Sequence, residues 1–428
     1  MSSMLKAYTT FAGISSFQIL AMFRRGLFYS FLSVYIREFL GLSVTETTLF
    51  ATIPMVVSSA CQGLVWGRVS DRLQLRRTLI VLGELLAAIG TVALWYAHIQ
   101  PESKHMAGYV IIFGLAIIEI FWSMSNVGWS ALISDIYAEE DRATIQGQLA
   151  SVGGVGRIIG VWIGGVLYDG LGAFYKGWGC NEGALFFVAA GAMLVSTVPM
   201  LFVPEGGIKD ALGTTDVAGR YLDYPAPAFV VFVTAMVFVN FGRNAMAVLR
   251  APFLSLETGF GLSSKEMSYL INVRSVAMIL SGLGAGMLDT RLGNGRTLLL
   301  GGILAMASLL IFGFAPTVYV AGFGNVLMGA SDVIIMTSSY ALASVLIPPL
   351  ERGRFFGMFN ATMFLSWGLA GTVITGPLID LLIQRGVAEL FAYQLAFLTS
   401  VIITSIGLGI LAYLVFGVMK SAKKPETV

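Results

Sequence analysis

Nine charged residues fall where the chain is otherwise apolar: Arg24, Arg25, Glu84, Glu119, Arg157, Arg243, Arg250, Arg274 and Asp332. An arginine at the centre of a bilayer costs about 2.5 kcal/mol or more, so each such residue calls for a function or a partner. Six arginines stand against three acids, which leaves three cations for something other than an internal ion pair. Guanidinium forks bind carboxylate and phosphate through paired hydrogen bonds, so the surplus points to an anionic ligand. Arg24 and Arg25 are adjacent in "FQILAMFRRGLFYSFLSVYI", residues 17–36. Neighbours on a helix point roughly 100° apart, so the two serve different ends. Helical spacing places Gln18, Arg25 and Tyr29 on one face, and Asn240, Arg243, Asn244 and Arg250 on another. These seven are the candidate substrate contacts, and Arg24 is the candidate local ion-pair partner. Glu84, Glu119 and Asp332, with Arg157 and Arg274, are candidates for proton coupling or ion pairing.

Other chemistries find no residues. No nucleophile–base pair and no His/Asp cluster lies at that depth, His98 and His105 fall in a loop, and no phosphate-binding G-x-x-x-x-G-K-[ST] occurs. Cys61 and Cys180 give neither a disulfide framework nor metal spacing. No enzyme, cofactor or metal site is expected. A net charge of +2 gives no reason to expect a nucleic-acid partner.

The elements that position these charges are membrane spans. The chain is 57% hydrophobic and 12% charged, whereas soluble chains carry about 25% charged residues; lipid is therefore its main solvent. Apolar runs long enough to span predict twelve helices, at 11–36, 46–67, 78–98, 107–133, 143–168, 183–203, 227–254, 266–288, 296–313, 316–345, 355–382 and 390–417. The first reads as an uncleaved span. With both termini cytoplasmic, loop arginines and lysines divide fifteen to five in favour of the inner side. The polar stretch 204–226 reads as a cytoplasmic linker between a six-helix half at 1–203 and another at 227–417, with a tail at 418–428.

The halves repeat. Phe23-Arg24-Arg25 matches Phe241-Gly242-Arg243, and "GLSVTE" (41–46) matches "GLSSKE" (261–266). Asp71 matches Asp289, Arg142 matches Arg352, and "GGVLYD" (164–169) matches "TGPLID" (375–380). The matches run in the same order at offsets of 210 to 220, as an internal duplication would. Arg25 thereby acquires a counterpart in Arg243, whereas Arg24 has only Gly242.

After the second span stand Gly67, Asp71, Arg72, Arg76 and Arg77. They resemble the G-x-x-x-D-R-x-G-R-R/K signature of the major facilitator superfamily, with Gln74 in the place of its glycine. The resemblance implies an all-α integral membrane protein of twelve transmembrane helices in two pseudo-symmetric six-helix bundles. It further implies secondary active transport by alternating access, with Asp71 and Arg72 in a cytoplasmic gate that Arg76, Arg77, Asp289, Arg142 and Arg352 join. Gly147, Gly156, Gly160, Gly164 and Gly165 follow the helix-packing pattern of the family's antiporters, with Val161 where that pattern has proline.

The expected cargo is a small organic anion, exchanged against protons. A drug-like compound exporter is the alternative. A resemblance to permeases of the magnetosome membrane adds an iron or metal-chelate carrier, and an anionic chelate would suit the arginines. A transporter-like membrane sensor is the reading from another class. The expected setting is a lipid bilayer, the bacterial cytoplasmic membrane or an invagination of it, with the protein as a monomer.

Overall fold

The computed structural model describes residues 2–137, 139–172, 175–207, 226–347 and 352–422. Every long apolar run is helical, because no other single segment satisfies its own backbone polar groups in lipid. The first half comprises α1 (Ser2–Val34), α2 (Val44–Cys61), α3 (Gly67–Leu73), α4 (Arg76–His98), α5 (Lys104–Ile136), α6 (Glu139–Tyr168), α7 (Trp178–Asn181) and α8 (Ala184–Met200). The second comprises α9 (Ala226–Asn244), α10 (Arg250–Ser255), α11 (Ser264–Leu292), α12 (Asn294–Phe314), α13 (Val318–Leu346), α14 (Arg352–Ala370), α15 (Gly376–Gln384), α16 (Glu389–Tyr413) and α17 (Met419–Ala422). Among the described residues eleven helical stretches are long and apolar enough to cross a membrane, and α8 is a shorter apolar helix between the fifth and the sixth of them.

Two compact units result. Unit 1 holds Met1–Ser43, Leu49–Gly213 and Leu262–Asn272; unit 2 holds Val44–Thr48, Thr214–Gly261 and Val273–Val428. Within unit 1, Ile14, Phe17, Ile80, Leu132, Ile133 and Met200 bury one another. Phe232, Val239, Leu298, Ile335, Phe359 and Leu411 do the same in unit 2.

The seventh predicted span, 227–254, is interrupted. α9 ends at Asn244 and a helix resumes only at Arg250, although the intervening "AMAVL" contains no helix breaker. A residue distant in sequence bonds at the break. The Ala245 carbonyl accepts a 2.6 Å hydrogen bond from the Thr375 hydroxyl, at the end of a widened turn over Gly371–Thr375. That carbonyl lies in the first residue after α9, where the helical ladder stops.

Candidate functional site

Unit 2 contains a cluster built round one acid. Asp332, on α13, accepts from Arg243 Nη1 through Oδ1 at 2.7 Å. Its Oδ2 accepts from Arg274 Nε at 2.8 Å and Nη2 at 2.5 Å. Arg250 carries a third guanidinium close enough for Asp332 and Arg274 to act on it electrostatically. It is 7% exposed and lies 5.1 Å above the Phe312 ring, with its Nε unbonded. Three cations and one anion leave two positive charges. A buried cluster with that surplus is costly unless water or a ligand compensates it.

The polar neighbours of Arg243 are engaged inside the unit. Its Nε donates to Asn240 Oδ1 at 3.1 Å, and Asn240 donates to Thr362 at 3.0 Å. Asn244 donates to Ser366 at 2.9 Å. Asn240 and Asn244 thus tie α9 to α14, one helical turn apart on both helices.

Unit 1 arranges its charges differently. Arg25 is exposed and donates to Asn126 Oδ1 at 3.3 Å. Arg24 is 3% exposed, and its guanidinium lies over the Trp122 ring at 4.2 Å. Its Nε and Nη1 make no hydrogen bond, and the acids whose charge reaches it are Glu84 and Glu119. A cation on an indole face is stabilised by the ring quadrupole, more so when desolvated. The neighbour of Arg24 is thus an aromatic ring as well as acids. Glu84 accepts from Ser125 at 3.0 Å, and Glu119 is hydrogen-bonded by Ser58. Tyr29 packs against Trp122 at 5.9 Å between rings, while Gln18 lies beside Gly153 of α6. Arg157 is half-buried in α6. On one continuous helix, Gln18, Arg25 and Tyr29 therefore meet α6, Asn126 and Trp122 in turn.

At the turn after α3 the residues that resemble the family signature divide into two groups. Gln74, in the place of the family's glycine, adopts φ 55°, the left-handed region that costs a non-glycine residue about 1–2 kcal/mol. Its own amide offsets the strain by donating to Asp71 O at 2.8 Å and accepting from Arg76 at 3.3 Å. Arg76 is buried and bonds Asp135 at 3.1 Å and Ser70 at 2.5 Å. Arg77 pairs with Glu205 at 3.0 Å. Asp71 is 81% exposed at its side chain, 3.5 Å from Arg76, and Arg72 is exposed. Arg76 and Arg77 thus build the turn, leaving Asp71 and Arg72 open to solvent. The side chains of Arg142, Asp289 and Arg352 lie outside the described residues.

Sequence reasoning missed two residues here, Asp135 and Glu205. Glu205 caps the start of α4, accepting from the Thr78 amide at 2.9 Å and its hydroxyl at 3.0 Å. Gly207 donates to Asp135 at 2.9 Å. The start of the predicted linker is therefore docked on this turn. Replacing Glu205 with alanine is expected to cost about 1–2 kcal/mol, as other lost caps do. A lower melting temperature in detergent would register it, and Glu205→Gln should recover part of the loss.

The glycines of α6 pack against α1. A Cβ on Gly156 would collide with the Ile19 carbonyl, one on Gly160 with that of Phe23, and one on Gly164 would lie 2.6 Å from that of Leu27. Gly165 instead faces Ser264, and Gly147 has nothing within 4 Å.

Among the described residues, eleven helical stretches able to cross a membrane, with charged side chains inside them, make this a multi-pass membrane protein. The sequence profile of the Major Facilitator Superfamily matches residues 14–371 and again 232–427, and the chain belongs to that superfamily. It is similar to a variant of the nucleoside transporter NupG, with a TM-score of 0.73 at 13% identity, covering 95% of this chain and 99% of the other. It is also similar to a bacterial homolog of the human lysosomal transporter Spinster in an inward-facing, unoccupied conformation, with a TM-score of 0.71 at 18% identity over 98% and 99% of the two chains. Among characterised sequences, the galactose-proton symporter of Escherichia coli strain K12 is 25% identical over 148 residues, which is 34% of this chain and 31% of the symporter. An uncharacterised MFS-type transporter of Mycobacterium tuberculosis is 27% identical over 167 residues, 38% of this chain and 23% of that protein. The matches thus span less than a third of either relative's length.

Proposed function

We propose that this transporter carries a small organic anion by alternating access, in exchange for protons. The observation that carries the reading is the unit 2 cluster, where the guanidiniums of Arg243 and Arg274 share the carboxylate of Asp332 and that of Arg250, over the Phe312 ring, lies within its electrostatic reach. Arg274, the most exposed member of the two ion pairs at 26%, is positioned to exchange part of its bonding to Asp332 for a ligand carboxylate or phosphate. Arg25, exposed and bonded to Asn126 at 3.3 Å, is the candidate contact in unit 1. Glu84 and Glu119, each bonded by a serine, are the candidate proton carriers there. A metal cargo carried as an anionic chelate would suit the same arginines. We place the protein in a bacterial cytoplasmic membrane, or an invagination of it, with both termini on the cytoplasmic side.

The test is a thermal-shift screen of the purified protein against organic anions, phosphate esters, metal chelates and cationic drugs. An anion that raises the melting temperature should lose that effect in Arg25→Ala and in Arg274→Ala. In proteoliposomes the same labelled anion should show counterflow and respond to an imposed pH gradient. A response confined to cationic drugs, or shifts that survive in both variants, would sink the anion reading.

A further inference from the structure

A cavity of about 480 Å³ lies in unit 1, at the end of α4 remote from the Arg76 turn. Small-molecule sites run from about 300 to 1,000 Å³, so it is large enough to hold a ligand. Tyr35 and Phe39 line it from the chain after α1, Trp95 and His98 from the end of α4, Lys104 from the start of α5, and Asn181 and Glu182 from the end of α7. One candidate span stops at His98 and the next starts at Lys104. The cavity therefore sits at the membrane surface, where hydrocarbon gives way to water.

Most of its polar groups are already committed. His98 bonds the Trp95 carbonyl through Nδ1 at 2.7 Å and the Tyr35 hydroxyl through Nε2 at 3.3 Å, so both ring nitrogens are occupied. Trp95 Nε1 donates to the Asn181 carbonyl at 3.1 Å, and Asn181 Nδ2 donates to the Tyr175 hydroxyl at 2.7 Å. Two charges keep spare capacity. The Lys104 ammonium lies 4.4 Å from the centre of the Phe39 ring, and among the described residues no carboxylate pairs with it. Glu182 accepts through Oε1 from Tyr175 at 2.7 Å and from Asn181 at 3.1 Å, and no described donor bonds its Oε2. Lys176, at the same end of the unit, is by contrast paired with Glu38.

A lone cation in this cavity would meet Lys104, and a lone anion would meet Glu182. A molecule bearing both charges satisfies the two at once, and its cationic end also gains aromatic faces. Phe39 is fixed by stacking on Tyr35 at 5.1 Å and on Tyr175 at 5.8 Å between ring centres. Lys104 rests on Phe39, which leaves Tyr35 and Trp95 as walls for a second cation. Aromatic walls bind quaternary ammonium through the ring quadrupole, and a lysine binds phosphate as a point charge. We infer that this cavity is a binding site for a zwitterionic phosphate ester of an amino alcohol, with its phosphate on Lys104 and its ammonium against the aromatic walls and Glu182. At the membrane surface that group can come from a phospholipid headgroup or from a free solute. The inference is independent of the cargo proposed above.

Equilibrium binding to the purified full-length protein in a maltoside detergent tests it, with phosphocholine and phosphoethanolamine as probes. Each should bind saturably and about ten-fold or more tighter than choline or inorganic phosphate alone, since either half loses a charge-assisted contact. Lys104→Ala and Glu182→Gln, both at exposed residues, should each weaken phosphocholine about ten-fold for the same reason, while Lys176→Ala leaves it unchanged. Nanodiscs then separate the two sources. A site filled by a headgroup would refuse soluble phosphocholine in phosphatidylcholine discs and accept it in phosphatidylglycerol discs, whereas a site for a free solute would accept it in both. No binding of either probe, equal affinity for the separate halves, affinity that survives in both variants, or loss of binding in both kinds of disc overturns the inference.

Discussion

Replacing Asp332 with alanine is expected to destabilise the protein by about 3–5 kcal/mol, the range for breaking a buried ion pair from one side. Both carboxylate oxygens are occupied, by Arg243 and Arg274. Its loss leaves those guanidiniums and that of Arg250 with no shared acid. The effect should show as a large fall in melting temperature in detergent. Two further measurements separate charge from packing. Asp332→Ala/Arg243→Ala should be more stable than the sum of the single changes implies, because the second removes a cation that the first has stranded. Formate or acetate should partly restore the melting temperature of Asp332→Ala, by supplying a carboxylate to a vacated site that Arg274 leaves partly open. A variant as stable as the parent would show that solvent, not Asp332, compensates the arginines.

That cluster was half legible in the sequence. Arg243, Arg274 and Asp332 are legible as charges inside apolar runs, because lipid fixes span length and depth follows from counting along a helix at 1.5 Å per residue. The partnership of Arg274 with Asp332 was not legible, since it depends on how α11 is rotated against α13, and rotation is set by packing. The existence and order of the spans are legible for the same reason that depth is, since lipid imposes their length, but α1 begins at Ser2 and α9 stops at Asn244, well away from the expected ends. The break after Asn244 is not legible, since "AMAVL" carries no breaker and the residue bonded there, Thr375, lies 130 residues from Ala245. The lack of a repeat counterpart points Arg24 to a local acid, and the charges of Glu84 and Glu119 do reach it; the Trp122 ring beneath its guanidinium adds no charge to count and so is not legible. The docked linker start was equally hidden. "PEGG" reads as a flexible opening, and only the left-handed φ of Gly206 and Gly207, 75° and 96°, shows why glycines are needed for the chain to reach Asp135.

The glycines of α6 yield a prediction with opposite signs inside one motif. Gly147→Ala is expected to stabilise the protein by up to about 1 kcal/mol, the helix-propensity difference between the two residues, because a Cβ there meets nothing within 4 Å. Gly160→Ala gains the same propensity, but its Cβ would collide with the Phe23 carbonyl on α1. Backbone cannot step aside as a side-chain tip can, so α1 and α6 must separate, and overpacking of this kind costs about 1–3 kcal/mol or more. The contact is also reciprocal, since a Cβ on Gly26 of α1 would lie 2.5 Å from the Arg157 carbonyl. Separation at Phe23 displaces the next two residues, Arg24 over Trp122 and Arg25 beside Asn126. Gly160→Ala should therefore lower both the melting temperature and any thermal shift that depends on Arg25, while Gly147→Ala raises the first and leaves the second intact. Equal effects of the two changes would mean that spacing alone, and not the crossing of α1 with α6, accounts for these glycines.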